Sequence, residues 1–390
     1  RHAEKYLSGI EKFYIAVDCD GKGDEVSEKI AQRLGRWRCE KVTFKNKDAN
    51  DDLIESRFVL EESLKNSKRY PVSGTFTIDD LESDIMHLYD NGTPDVISPK
   101  GIWFQGLEDE FTVMRGHLVT VTGIPSHGKS TFTDWYIMNL LEDYNMKASW
   151  FSPEHHPMSI HQANMISNFS GKPFYRDIEG VQRIQKSEIQ NYKEWAREKI
   201  YLTGPDKDQS PTWSWLLDKF KEQIYSFGID IFVIDAFNKV LFDNSSRGHL
   251  QQITEVLTKL TAFAQQNNVI IFLIAHPTKM RKKEDGTYEA PNLYDVAGSA
   301  DFRNMTHDGF CIYRVFEDEN TADETIFTNL KTKFSFQGNI GAQRKFKYHA
   351  PSGRYYNPVN AYTGFPLSEP QRNELKLEFN EEDDFPEWVN

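Results

Sequence analysis

Apolar positions along this chain alternate between two rhythms. Residues 117–122, 148–152, 229–234 and 269–275 are apolar runs with few interruptions, the pattern of parallel strands buried on both faces. Between them the apolar residues return at helical spacing, as Trp135, Met138 and Leu141 do. Strands alternating with helices predict a mostly parallel sheet covered by helices on both sides, an α/β fold. Residues 309–315 and 325–332 read as further strands.

Upstream the rhythm is shorter. Phe13-Tyr14-Ile15-Ala16-Val17 ends in Asp18-Cys19-Asp20-Gly21, and a helical pattern follows through Val26, Ile30, Ala31 and Leu34. Lys41-Val42-Thr43-Phe44 reads as a second strand, before Lys47-Asp48-Ala49-Asn50-Asp51. Residues 1–62 thus form a small α/β unit. Residues 63–98 read as a linker, punctuated by Tyr70-Pro71 and Asn91-Gly92-Thr93-Pro94. Within it Thr77 or Asp79 caps a helix carrying Leu81, Ile85, Met86 and Leu88. Residues 99–366 carry the long alternating pattern. Residues 367–390 are acidic, with Phe379, Phe385 and Trp388 among the carboxylates, and predict a disordered tail.

Composition changes this picture little. The chain has 390 residues, 38% of them hydrophobic, which suffices for a sizeable core. A net charge of −13 means that any nucleic-acid contact must come from a local basic patch. Three cysteines without CxxC spacing support neither a disulfide framework nor a zinc site, and fit a reducing compartment. No apolar run approaches the roughly 18 residues that span a membrane. The chain begins at Arg1, so upstream sequence is expected to be missing.

The chemistry lies in the third part. Gly123-Ile124-Pro125-Ser126-His127-Gly128-Lys129-Ser130 meets the pattern G-x-x-x-x-G-K-[ST]. A strand precedes it and a helix beginning near Thr131 follows, so loop and helix N–H groups point at phosphates. Lys129 is expected on the β- and γ-phosphates, and the Ser130 hydroxyl on Mg²⁺. ATP or another NTP or dNTP is the implied substrate. Asp235, at the end of the run Ile231-Phe232-Val233-Ile234, is expected to orient Mg²⁺ beside the loop. Glu154, after the run 148–152, is a candidate general base for the attacking water. Its neighbours His155 and His156 read as loop histidines, since no ligand spacing supports a metal there. His276, ending the run 269–275, is placed to sense the γ-phosphate. Four cations follow in the next loop, Lys279, Arg281, Lys282 and Lys283, and suit contacts to a phosphodiester backbone.

In this order the motifs resemble the RecA-like motor of hexameric replicative DNA helicases of the DnaB superfamily, most of all the Twinkle and phage primase-helicase branch. The matching residues are 123–130, Ser152-Pro153-Glu154, Val233-Ile234-Asp235 and Ile274-Ala275-His276-Pro277. Asp295-Val296-Ala297-Gly298-Ser299-Ala300 and Leu330-Lys331-Thr332-Lys333-Phe334 resemble two later motifs of that family. Asp18-Cys19-Asp20, Arg33-Leu34-Gly35-Arg36 and residues 47–51 resemble the latter half of a Toprim domain.

The resemblance implies a RecA-like P-loop NTPase domain preceded by part of a Toprim domain and a helical linker. It further implies an ATP-dependent homo-hexameric ring that translocates on single-stranded DNA and unwinds duplex. A neighbouring subunit would bring Lys331 and Lys333 to the γ-phosphate. Lys333 departs from the usual arginine and lacks its planar fork; Arg344 is a further candidate for that duty. Arg314 and Tyr348 match positions that sandwich the base, and Arg303 a DNA-facing or phosphate-sensing position. Asp18 and Asp20 would contribute to a Toprim Mg²⁺ site whose glutamate lies before Arg1. The tail resembles segments that dock on a DNA polymerase. The implied compartment is a cytoplasm or an organelle, with no membrane partner. Two other functions compete: a RecA-like ATPase without unwinding activity, and a nucleotide-binding replication scaffold.

Overall fold

The structure, a computed structural model, describes residues 4–7, 9–72, 74–178, 180–206, 209–243, 248–278, 280–284, 286–296, 300–315 and 323–369. Two compact units divide the chain, Arg1–Gly92 and Thr93–Asn390. Lys279, residues 297–299 of the expected late motif, and residues 370–390 of the acidic tail lie outside the described residues.

After a short α1 (Glu4–Leu7), the first unit is built on a three-stranded sheet of β1 (Phe13–Ala16), β2 (Cys39–Val42) and β3 (Lys68–Arg69). β1 and β2 are parallel, joined by α2 (Gly21–Leu34). Asp20 starts α2 by accepting the Gly23 N–H at 2.6 Å. Ile15, Ala31, Cys39 and Tyr70 make a small core. β2 begins two residues earlier than the apolar run suggested. Its register sets Cys39 opposite Phe13, and the chain after Val42 turns so that Lys45 and Asn46 N–H groups reach the buried Asp52 carboxylate at 3.1 and 2.7 Å. Asp52 lies in α3 (Ala49–Glu55), which Asp48 caps, and Ser63 of α4 (Arg57–Lys65) donates to it at 2.7 Å. Thr77 and Asp80 each accept the other's backbone N–H in the turn before α5 (Glu82–Asn91), whose own N-cap is Leu81 with no side-chain cap, so neither Thr77 nor Asp79 caps that helix. Ile85, Met86, Leu88 and Tyr89 of α5 are all exposed.

The second unit holds a nine-stranded sheet in the order β12-β11-β10-β9-β4-β8-β7-β5-β6. β4 (Leu118–Thr122), β5 (Ala148–Phe151), β6 (Ile200–Thr203), β7 (Ile231–Asp235), β8 (Ile270–Ile274) and β9 (Asp308–Arg314) run parallel. β10 (Glu324–Lys331), β11 (Gln343–His349) and β12 (Arg354–Tyr356) add an antiparallel meander. The helices are α6 (Lys129–Tyr144), α7 (Met158–Ser170), α8 (Lys186–Ala196), α9 (Trp213–Phe227), α10 (His249–Asn267) and α11 (Asp301–Met305).

Alternate residues of each central strand feed two cores. Val119, Val121, Ile231, Val233 and Phe272 pack with Phe132, Trp135 and Tyr136 of α6 and with α7. Leu118, Phe232, Ile234, Ile271 and Leu273 pack with Trp213, Phe220 and Leu257 of α9 and α10. The period of two along strands buried on both sides explains why they read as near-continuous apolar runs. Among the described residues no helix is long and apolar enough to cross a membrane.

Arg354 locks the first core to the meander. It is fully buried, and burial pushes its guanidinium down to about 10. The group donates to the carbonyls of Asn168, Phe169 and Thr363 at 2.6, 2.7 and 3.2 Å and lies 4.8 Å from the ring centroids of both Trp103 and Trp135. Two aromatic faces and three carbonyls replace its water shell. Arg354→Ala would strand those acceptors and open a cavity. We expect a loss of about 3 kcal/mol or more, read as a lowered urea midpoint, while a surface control such as Lys345→Ala stays near wild type.

Candidate active site

Four neighbouring parallel strands deliver the site. In the order β4, β8, β7, β5 their C-terminal ends lie level, since Val121 faces Ile274, Ile274 faces Asp235 and Ile234 faces Phe151. The crevice beyond such ends is where open α/β sheets bind ligands. Each strand is followed at once by a candidate group: the glycine-rich loop after β4, Ser152 and Glu154 after β5, Asp235 at the end of β7 and His276 after β8. The structure therefore brings together Lys129, Ser130, Glu154, Asp235 and His276.

The loop geometry depends on its two glycines. Gly123 has φ 152° and Gly128 φ 87°, which L side chains rarely adopt. A Cβ on Gly123 would collide with the Ile312 carbonyl of β9, and one on Gly128 with the Tyr355 hydroxyl. Ser126 also takes a left-handed φ of 67°. Gly128 caps α6, so Lys129, Ser130 and Thr131 form the first turn, where N–H groups are unpaired within the helix. The buried Lys129 ammonium donates to the carbonyls of Gly123 and Ile124 at 2.9 and 3.1 Å, curled inside its own loop. Burial pushes Lys129 below its ordinary value, and Asp235 opposes that shift.

Asp235 is buried, and burial raises its carboxyl, with Ser130 and His155 pulling the other way. Ser152 donates to its Oδ2 at 3.3 Å, while its Oδ1 has no hydrogen-bond partner. A buried orphan oxygen beside Ser130 suits a hard cation, so Ser130 and Asp235 fit Mg²⁺. Glu154 lies 3.8 Å from His276 Nε2 and 3.5 Å from Lys239 Nζ. Burial and the nearby Lys129 hold His276 below its ordinary value, and its Nδ1 has no partner.

The loop is also tied to the end of β9, next to Arg314 and Tyr348. The His127 ring accepts the Arg314 N–H at 3.0 Å. The Arg314 guanidinium stands 4.6 Å over the Tyr348 ring, so the expected base-binding pair is already in contact. A cavity of about 300 Å³, lined in part by Thr131, His155, Tyr348 and Gly353, opens beside α6.

The remaining candidates lie elsewhere. Lys331 pairs with Gly309 and Val119 with Asp308, which puts Lys331 at the N-terminal end of β4. The five residues of β4 span roughly 16 Å at about 3.3 Å each, beyond the reach of a four-carbon lysine stem. Lys331 donates to the carbonyls of Arg303 and Asn304 at 2.6 and 3.3 Å. Burial, Arg303 and Lys333 push it down to about 8. Lys333 is exposed, and its N–H is held by buried Asp308 at 3.1 Å. Arg344 is spent on Glu110 at 2.7 and 3.0 Å and on nearby carbonyls, so it is a packing residue and not a spare finger. Arg281, Lys282 and Lys283 are exposed on the loop after His276, where Lys282 also lies 5.4 Å from the Tyr288 ring centroid. Asp18 and Asp20 flank the end of β1, and Asp20 already serves as a helix cap. Among the described residues no three His, Cys, Asp or Glu side chains converge as a metal site, so Asp18 and Asp20 alone do not form one.

Sequence reading missed a polar cluster beneath Asp235. Asp134 of α6 accepts from Trp150 Nε1 at 2.8 Å and pairs with His161 Nε2 at 2.9 Å. The His155 ring stacks on His161 at 4.4 Å. Burial alone would lower His161, but Asp134 raises it above its ordinary value. No spacing rule joins positions 134, 155 and 161; only the packing of α6 against α7 does.

No family model matches the chain. It is 31% identical over 326 residues to a Twinkle homolog protein, chloroplastic/mitochondrial, of Arabidopsis thaliana, across 81% of this chain and 45% of that protein. It is 23% identical over 378 residues to a DNA helicase/primase of Enterobacteria phage T3, across 92% of this chain and 63% of that protein. The chain thus spans about half to two-thirds of the length of these relatives. Among solved structures, an ATPase domain matches with a TM-score of 0.57 at 14% identity, covering 73% of this chain and 99% of that one. A DnaB-like replicative helicase matches with a TM-score of 0.56 at 13% identity, covering 86% and 74%. These structural likenesses establish the RecA-like fold. At 31% identity over 81% of its length to a Twinkle homolog, the chain belongs to the Twinkle and phage primase-helicase branch of the DnaB superfamily.

Proposed function

We propose that this chain is the motor of an ATP-dependent, ring-forming replicative helicase that moves along single-stranded DNA and unwinds duplex. One observation carries the reading: Lys129, Ser130, Glu154, Asp235 and His276 converge from four strands on one sheet edge. The names of the relatives, a Twinkle homolog and a DNA helicase/primase, support the direction of that chemistry.

Loop and α6 N–H groups receive the α- and β-phosphates, and Lys129 exchanges its two loop carbonyls for β- and γ-phosphate oxygens. Mg²⁺, held by Ser130 and the free oxygen of Asp235, would neutralise charge on the phosphates. Glu154 accepts a proton from the attacking water, and His276, 3.8 Å away, registers departure of the γ-phosphate. The exposed loop that follows His276 would carry Arg281, Lys282 and Lys283 toward the DNA backbone. Arg314 and Tyr348 part to admit the base. We read the first unit as the latter part of a Toprim domain, which its parallel β1 and β2 and Asp18 support; no step is derived through a metal there.

Lys331, Lys333 and Arg303 cannot serve their own loop. We place them against the triphosphate of a neighbouring copy, which requires a closed ring, in keeping with a hexamer. The exposed apolar residues of α5, from 41% exposure at Ile85 to 82% at Tyr89, supply surface for that assembly.

Lys129→Ala is expected to abolish DNA-stimulated nucleotide hydrolysis; turnover at the wild-type rate would reject the reading. Gly128→Ala should lose nucleotide binding in equilibrium dialysis and also lose about 1–3 kcal/mol of stability in urea unfolding, since its left-handed φ and the buried Tyr355 hydroxyl both oppose a Cβ. Replacing Ile85 and Leu88 together by Asp should shift native mass from ring to lower species and lower turnover in proportion. An unchanged mass would remove α5 from the assembly.

A further inference from the structure

Beneath the candidate magnesium carboxylate lies a chain of polar side chains to which the reading above gives no task. It begins in the core, where Asp134, 5% exposed, accepts from Trp150 Nε1 at 2.8 Å and from His161 Nε2 at 2.9 Å. His161 is itself 2% exposed. Its ring supports that of His155 at 4.4 Å between centroids, with 27° between planes. His155 Nδ1 lies 2.8 Å from Ser152 Oγ, and Ser152 Oγ lies 3.3 Å from Asp235 Oδ2. His155 Nδ1 is also 3.7 Å from that same oxygen.

The proton count fixes the direction of this chain. Asp235 in its ionised form has only acceptors, so Ser152 donates its hydroxyl proton to Oδ2. Ser152 Oγ is then free to accept, and His155 donates from Nδ1. His161 must donate from Nε2, since the Asp134 carboxylate only accepts. Every donor has one acceptor, and the chain ends on Oδ2. The other oxygen, Oδ1, is buried without a partner.

We propose that His155, seated on the Asp134–His161 pair, is a positioning residue that holds Ser152 and Asp235 in the orientation that presents Oδ1 to magnesium. The proposal rests on the hydrolase reading above. Partners one step behind a metal ligand orient it and raise its affinity, and removing one costs about tenfold or more. The arrangement of His155 supports this role. It touches Asp235 through an intervening hydroxyl, and its ring is packed face to face on His161. The buried Asp134 charge is answered by His161 and Trp150, which anchors the whole chain to the core at α6 and α7. The glycine-rich loop, on the same α6, thereby shares its foundation with the carboxylate from β7.

The test uses His155→Phe, which keeps a flat ring on His161 but removes the Nδ1 donor, and His155→Gln, whose amide can restore that donor. Mn²⁺ binding is followed by electron paramagnetic resonance on the full chain with a non-hydrolysable triphosphate analogue, alongside hydrolysis against Mg²⁺ concentration and thermal unfolding. We expect His155→Phe to weaken Mn²⁺ binding about tenfold and to raise the Mg²⁺ half-saturation equally, at unchanged Tm, with His155→Gln recovering most of the loss. Wild-type Mn²⁺ affinity in His155→Phe would overturn the proposal. So would equal losses in both variants accompanied by a lowered Tm, which mark a packing role. The Lys129→Ala control separates the two readings. If it still hydrolyses, the hydrolase reading has failed; if it is dead while His155→Phe binds Mn²⁺ normally, only the positioning role has failed.

Discussion

The parallel register of β4 between β8 and β9 is the constraint on which the rest depends. Because Val121 sits opposite Ile274 on one side and Phe310 on the other, the glycine-rich loop emerges level with His276 and Arg314. A slip of one residue would turn Val119 and Val121 into the opposite core and swap every partner. The loop is then pressed from outside. The Ile312 carbonyl and the Tyr355 hydroxyl leave no room for a Cβ at Gly123 or Gly128. Its glycines thus answer two demands, a left-handed backbone and a close neighbour, which is parallel β9 at Gly123 and β12 of the antiparallel meander at Gly128.

The same strand has a second end. There His117 pairs with Asp308 at 2.7 Å and stacks on His307 at 4.5 Å, while Asp308 also accepts from Gln337 and from the Lys333 N–H. Burial and the neighbouring His117 push His307 down to about 4, so it stays neutral and accepts the Leu118 N–H at 3.0 Å. On the proposed reading, one end of β4 faces its own nucleotide and the other holds lysines meant for a neighbour's. A rigid strand, buried on both faces, connects the two.

Much of this was legible in the sequence because strands buried on both faces write themselves as apolar runs, and because the glycine loop obeys a local rule. β4, β5, β7 and β8 fell within two residues of the expected bounds, as did Glu154, Asp235 and His276 at their ends. β11 was not legible. Its seven residues include Gln343, Arg344, Lys345 and Lys347, and among them only Phe346 is buried. β6 is a four-residue edge strand, too short to announce a period. Arg354 and the Asp134–His161 pair are charges whose partners lie up to 186 residues away, and no local pattern reveals a tertiary acceptor. His155 was read as an ordinary loop residue for the same reason.

The departure from arginine at Lys333 gains a physical setting from its neighbours. Lys331 is pushed down to about 8 because it is half-buried and crowded by Arg303 and Lys333, with only Asp308 opposing. In a chain whose net charge is −13, three cations gathered at one strand end are electrostatically uncomfortable until an anion arrives. A triphosphate would remove that discomfort and draw Lys331 off the carbonyls of Arg303 and Asn304, releasing the C-terminal end of α11. A planar fork gives stronger bidentate contacts than the point charge of a lysine. On the proposed reading Lys333 would give up some strength at the phosphate, while Lys331, bonded to the Arg303 and Asn304 carbonyls in its absence, would link that phosphate to α11.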